Sequence, residues 1–131
     1  SRAYLHKQAQ DVRNNTLRQL NQELRLAWTA LQNARAQLPS AEEYADRSVK
    51  VRTAYQDQFS LGERTLLDLL DSENEVFSSK RRLVELRYLA MTSGYRISER
   101  TGELMNILKI TPPPSGQPVD SAEENSLPEL H

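Results

Sequence analysis

Apolar residues recur every three or four positions along most of this 131-residue chain. This spacing places them on one face of an α-helix and, when sustained over heptads, predicts a helix that packs against another helix. In the first half of the chain the pattern holds for three heptads, at Leu17, Leu20, Leu24, Ala27, Leu31, Ala34 and Leu38. It continues more weakly through Ala41, Tyr44, Val51 and Tyr55. The pattern predicts a long helix over about residues 2–58.

Pro39 lies inside this predicted helix, where proline removes one backbone hydrogen bond and clashes with the preceding turn. The segment "LPSAEE" can therefore be a kink in one helix or a break followed by a new one. A new start has local support, because Ser40 and Glu43 have the spacing of a capping box. We expect a kinked continuation.

A second helix should follow a tight turn at residues 59–65. Gly62 is the only glycine among the first 93 residues, and glycine readily adopts the left-handed conformation that ends helices. Two capping boxes could start the next helix, Ser60 with Glu63 or Thr65 with Asp68, and the sequence does not choose between them. From there two adjacent apolar columns run at heptad spacing, Leu69, Val76, Leu83, Ala90 and Ile97 beside Leu70, Phe77, Val84 and Met91.

Two columns form a wider apolar surface than a two-stranded coiled coil requires. They favour a bundle or a helical barrel over an isolated hairpin. We expect this helix to span about residues 66–101 and to end or bend at Gly102, before a short helix at about residues 103–109. Residues 111–131 hold five of the six prolines and predict a disordered tail. The fold class is thus all-α, with residues 1–110 as one antiparallel hairpin.

Composition and charge narrow the range of possible functions. A net charge of −1 lacks the basic excess of nucleic-acid-binding proteins, and the absence of cysteine excludes disulfides and thiolate chemistry. His6 and His131 lie at opposite ends of the chain with no second metal ligand at suitable spacing. We expect no enzyme activity, no cofactor and no metal. The chain begins directly in helix-like sequence without a signal peptide, so we expect it to be a piece of a longer protein.

The segment "FSLGERTLLDLLDSEN", which begins at Phe59, resembles the tip of the second helical hairpin in the TolC family of outer-membrane efflux proteins. The family shows there an aromatic residue, a glycine, an Arg-Thr pair and two aspartates within an apolar run. The downstream segment "ISERTGELMNIL" is similar to the exit of the family's helical barrel. The resemblance covers roughly residues 1–110.

This resemblance implies a homotrimeric export channel, used for type I secretion or efflux, that acts as a passive conduit. Its helical barrel extends into the periplasm and reaches the outer membrane through a β-barrel part that this chain lacks. The tips meet a periplasmic adaptor protein, which links the channel to an inner-membrane transporter. The exported substrate is not specified by this stretch.

The resemblance also assigns roles to residues of the tip. Asp68 and Asp71 correspond to aspartates that ring the channel entrance, where focused negative charge attracts cations. Arg64 corresponds to an arginine that latches neighbouring tips together. Phe59 stands where some members have a tyrosine in this latch and lacks its hydroxyl group, and Glu63 could compete for Arg64. The adaptor-docking turn would comprise Ser60, Leu61, Gly62, Glu63 and Thr65.

A simpler interpretation of these residues stays open. Arg64 and Asp68 could form an ordinary exposed ion pair, worth about 0.3–0.5 kcal/mol, and aspartates favour the first turn of any helix because of the helix dipole. The alternative function is a coiled-coil module for oligomerisation or scaffolding. Burial of Leu70, Phe77, Val84 and Met91 against further helices would distinguish a barrel from such a module.

Overall fold

The computed structural model of the protein describes residues 1–109 as an all-α hairpin. Helix α1 runs from Arg2 to Ser60 and helix α2 from Leu66 to Ile107. Gln56 contacts Glu73 near the turn, and Glu23 contacts Arg100 towards the other end, so the helices are antiparallel as predicted. Within residues 1–109 no strand is present. The predicted tail at residues 111–131 lies outside the described residues.

Helix α1 continues through Pro39 without a break. Its 59 residues correspond to a length of about 90 Å at about 1.5 Å per residue. Contacts with α2 hold the helix on both sides of the proline, since Leu31 and Ala34 before it and Ala45 and Ser48 after it are buried. These contacts offset the cost of about 3 kcal/mol that a proline imposes inside a helix. The capping box considered at Ser40 and Glu43 therefore starts no new helix.

Helix α2 likewise continues through Gly102 to Ile107, so the separate short helix expected at residues 103–109 is wrong. A glycine inside a helix costs about 1 kcal/mol relative to alanine. Leu104 and Ile107 beyond it are half-buried, and Arg100 pairs with Glu103 across the position. Packing and this local ion pair outweigh the penalty of the glycine.

The contact surface between the helices, which we call the seam, contains the first apolar pattern of each helix. All seven positions predicted from Leu17 to Leu38 are buried or half-buried, as are the five from Leu69 to Ile97. Small side chains make up much of the seam. The buried residues of this kind are Ala27, Ala34, Ala45, Ser48, Ser72, Ser79 and Ser93.

Beyond Pro39 the seam departs from the sequence prediction. Tyr44 and Val51, expected to continue the apolar pattern, are exposed, and Ala45 and Ser48 are buried instead. The hydroxyl oxygens of Ser48 and Ser79 lie 2.8 Å apart across the seam. A bond between two such short side chains requires the helix backbones to approach closely. So close an approach leaves no space in this part of the seam for side chains as large as tyrosine or valine.

The second apolar column of α2 is not part of the seam. We call Leu70, Phe77, Val84 and Met91 the outer stripe, and all four are exposed, with Phe77 at 67% and Met91 at 65%.

None of the helices within residues 1–109 is long and apolar enough to cross a membrane.

Candidate functional site at the hairpin tip

The turn that joins the helices is built around Gly62. The Gly62 amide donates to the Phe59 carbonyl (3.0 Å) and the Glu63 amide to the Gln58 carbonyl (2.8 Å). This pair of bonds is the Schellman pattern, in which the last carbonyls of a helix accept from residues beyond its end. The pattern needs a left-handed residue, and Gly62 has φ of +78°. The predicted reversal at Gly62 is confirmed.

Helix α2 begins with the capping box of Thr65 and Asp68. The Asp68 amide donates to the Thr65 hydroxyl (3.1 Å), and the Thr65 amide donates to the Asp68 carboxylate (3.4 Å). Ser60 instead donates to the Asp57 carbonyl within the last turn of α1. The structure therefore selects the second of the two capping boxes that the sequence allowed.

Arg64 lies in the turn, one residue before the cap of α2, so it does not share a helix face with Asp68. Its guanidinium stacks on the Tyr55 ring, 4.0 Å from the ring centre, and its Nε donates to Gln58 Oε1 (2.6 Å). Among the ion pairs of residues 1–109, none involves Arg64. The ordinary Arg64–Asp68 pair is thus not formed, and Glu63 does not engage Arg64.

The two aspartates of the predicted entrance differ in their surroundings. Asp68 is half-buried, and its carboxylate is occupied by the cap of α2. Asp71 lies one helical turn further on and is exposed. Both carboxylates stand within the first two turns of α2, at the end of the hairpin. The Asp68 carboxylate therefore accepts a hydrogen bond that caps α2, whereas the Asp71 carboxylate faces solvent.

The surface of the tip is largely apolar. Phe59, assigned to the latch by resemblance, is 41% exposed at the end of α1, and Leu61 in the turn is 72% exposed. Leu66 and Leu67 at the start of α2 are exposed as well. Ser60, Gly62, Glu63 and Thr65 complete the exposed turn. The tip thus combines apolar side chains with Asp71 in one small region.

Sequence reasoning missed two residues of this site. Tyr55 and Gln58 were expected to be ordinary positions of α1, yet they hold Arg64. The only sequence signal is that they are three residues apart near the end of α1, which places them on one face.

Among residues 1–109, no group of three or more histidine, cysteine, aspartate or glutamate side chains is arranged to hold a metal ion.

Comparison of the chain with family models, with curated proteins and with solved structures finds no match in any of the three.

Proposed function

We propose that this hairpin is the periplasmic helical part of a TolC-like outer-membrane export channel, in which three copies of the parent protein form the tunnel. The observation that carries the proposal is the outer stripe. A two-helix module buries one face of each helix, whereas α2 has a second column of large apolar side chains that α1 does not cover. Exposed apolar surfaces of this kind are typical of protein–protein contacts.

The tip supports the same proposal. In a barrel of such hairpins, Asp71 would contribute three carboxylates around one opening, and Asp68 three more. Charges of one sign in a narrow, low-dielectric opening favour cations and repel anions. The exposed turn would be the surface on which a periplasmic adaptor protein docks, through Ser60, Leu61, Gly62, Glu63 and Thr65. The adaptor would link the channel to an inner-membrane transporter. The channel itself would be a passive conduit.

Single-channel recording of the full-length parent protein tests this proposal. Arg64→Ala should raise the resting conductance, because a tie between tips is lost. Asp71→Asn should lower the preference for cations and weaken block by multivalent cations. Asp68→Asn should act in the same direction. Asparagine is the suitable replacement there, because it removes the charge but keeps an oxygen that accepts the Thr65 amide in the helix cap. Lys50→Gln, which removes one exposed charge ten residues before α1 ends at Ser60, is the control and should change neither property.

The alternative function, a coiled-coil module for oligomerisation or scaffolding, is supported by the self-contained seam. Under this alternative, the substitutions at Asp68 and Asp71 would affect only the start of α2. Unchanged conductance and unchanged ion preference in all the variants would favour the module and contradict the channel.

A further inference from the structure

The outer stripe is one half of a longer heptad pattern on the side of α2 that is turned away from the seam. A second column runs beside it, three or four residues from each member of the stripe. We call it the companion column, and its members are Leu67, Asn74, Arg81, Tyr88 and Tyr95. All five are exposed. Two columns that alternate at spacings of three and four residues form the a and d positions of a coiled coil.

With the companion column at the a positions and the outer stripe at the d positions, the pattern spans residues 67–95. This face is about 42 Å long at about 1.5 Å per residue. It is exposed along its whole length within the described hairpin, and α1 packs on the opposite side of the helix. One further helix could therefore pack against α2 without displacing α1.

Two members of the companion column are polar, Asn74 and Arg81. A single asparagine at an a position specifies the register of two helices, because its amide is satisfied when it faces another polar group at the same level. The Arg81 Nε donates to the Glu85 carboxylate one turn further on (3.2 Å). This contact draws the Arg81 charge to the edge of the face, and the stem of an arginine can lie along apolar surface. Asn74 therefore selects the register of a partner helix.

The charges along the two edges of this face differ. At the g positions, Lys80 takes part in no ion pair within residues 1–109, whereas Glu73 and Arg87 both pair with α1. The e positions on the other edge carry the exposed acidic residues Asp71, Glu85 and Glu99. In a parallel pair of identical helices, a g position faces the e position five residues further along the other helix. Lys80 would then face Glu85 of the other helix, whereas an antiparallel pair would bring the acidic edges together.

We propose that this face of α2 is a second coiled-coil interface, which pairs two copies of the chain in parallel and in register. Asn74 faces Asn74 of the second copy, and Lys80 of each copy faces Glu85 of the other. The surface that complements this face is thus the same face on another molecule. The pairing needs only two copies of this chain and does not depend on the proposed channel.

Disulfide formation between single cysteines tests the orientation, because the chain has no cysteine of its own. A disulfide requires two Cα atoms within about 7 Å. In a parallel, in-register pair the two residues at position 91 are level, so Met91→Cys should form a covalent dimer under mild oxidation. In an antiparallel pair, position 91 would be level with positions 67–74. The two residues at position 91 would then be about 25–36 Å apart at about 1.5 Å per residue.

Two controls accompany this experiment on the full chain. Lys50→Cys, on the exposed side of α1, measures random collision, and Met91→Cys should react at least about 10-fold faster because the pair holds its thiols together. A mixture of Met91→Cys with Leu67→Cys, one of them carrying a size tag, joins unlike chains only in an antiparallel pair. Preferential joining of unlike chains would overturn the parallel arrangement. Equal rates for Met91→Cys and Lys50→Cys would overturn the pairing itself.

The charged edge is tested by reversing one charge. Lys80→Glu should raise the dissociation constant of the pair about 2- to 10-fold, since two exposed attractions become repulsions. Sedimentation velocity measures the constant. Lys50→Glu makes the same change of charge on α1 and should have no effect. Equal constants for the two variants would contradict the contact of Lys80 with Glu85. Neither this result nor the disulfides alter the conductance changes expected at Asp71, so failure of the pairing and failure of the channel can be told apart.

The role of Asn74 in register is tested by Asn74→Leu, which should tighten the association and allow the helices to slip by one heptad. A mixture of Met91→Cys with Val84→Cys, one carrying a size tag, reports the slip, because these positions are about 10 Å apart along the helix. Unlike chains should be joined in the Asn74→Leu background and not in chains that retain Asn74. The same yield in both backgrounds would show that Asn74 does not set the register.

Discussion

The two long faces of α2 differ in the size and the burial of their side chains. The seam buries three serines, Ser72, Ser79 and Ser93, while the outer stripe exposes Phe77, Val84 and Met91 to solvent. If this hairpin were the complete functional unit, the larger apolar side chains would be expected on the buried face. The contrast indicates that close approach of the helices, rather than maximal apolar burial, determines the seam, and that the outer stripe is available for a further partner.

The largest effect should follow from opening the seam. Leu86 is 2% exposed, so Leu86→Ala should lower the free energy of unfolding by about 2–5 kcal/mol, through lost burial and the cavity that remains. Chemical denaturation at one protein concentration measures this change. Leu26→Ala is the matched control, because Leu26 is exposed on α1 and its loss should cost at most about 0.5 kcal/mol. Equal costs at the two positions would contradict the assigned seam.

The next prediction concerns the outer stripe, through which we expect the chain to self-associate. Replacing Phe77, Val84 and Met91 together by serine should raise the dissociation constant at least about 100-fold, because full burial of each side chain contributes roughly 1.5–3 kcal/mol. Sedimentation velocity over a dilution series measures it.

A control for the outer stripe is Lys50→Ser with Asp57→Ser, which alters an exposed polar face and keeps the net charge. It should leave the association unchanged. A wild-type chain that is a stably folded monomer at every concentration would show that the outer stripe does not join copies of the chain. That result would favour a self-contained hairpin.

A smaller effect is expected at the start of α2. Thr65→Ala should lower the free energy of unfolding by about 0.5–2 kcal/mol, since it removes the cap of the helix. Ser60→Ala should cost less, because the Ser60 hydroxyl bonds only a carbonyl of its own helix end. Thermal unfolding followed by circular dichroism compares the two variants. A larger loss in Ser60→Ala would instead assign the cap to Ser60 and Glu63.

The smallest effect should come from the serine pair inside the seam. Ser48 and Ser79 lie within hydrogen-bond distance of each other and each of a carbonyl of its own helix. Because each hydroxyl has one proton, one serine donates to the other while the second donates to its own carbonyl. Either hydroxyl keeps a carbonyl acceptor when the other is removed. A double-mutant cycle with Ser48→Ala and Ser79→Ala should give a coupling energy of about 0.5–1.5 kcal/mol. Ser78→Ala, on the exposed side of α2, is the control. A coupling energy of zero would show that this hydrogen bond does not help to align the helices.

Much of the fold could be predicted because it depends on local rules. The seven apolar positions from Leu17 to Leu38 repeat with the period of a helix, and they lie in the seam. Gly62 could be placed at the reversal because few other residues adopt a positive φ without strain. The serines of the seam were missed, although Ser72, Ser79, Leu86 and Ser93 repeat every seven residues. A serine is polar, and its burial becomes favourable only when another helix approaches closely.

The candidate site was predictable only in part. The resemblance at the tip singled out Arg64, Asp68 and Asp71, but sequence spacing suggested an Arg64–Asp68 pair that the structure does not form. A spacing of four residues brings side chains together only when both lie within one helix. Arg64 lies in the turn, where its side chain reaches Tyr55 and Gln58 on α1.

By itself, the sequence determined two long helices and the glycine at which they reverse, because helical periodicity and backbone sterics act over a few residues. Only the tertiary structure decided that α1 continues through Pro39, that Thr65 caps α2 and that small side chains fill the seam while the outer stripe is exposed. These outcomes depend on competition between weak local preferences, about 1–3 kcal/mol each, and contacts between residues far apart in the chain. The sum of those contacts exists only when the two helices pack together.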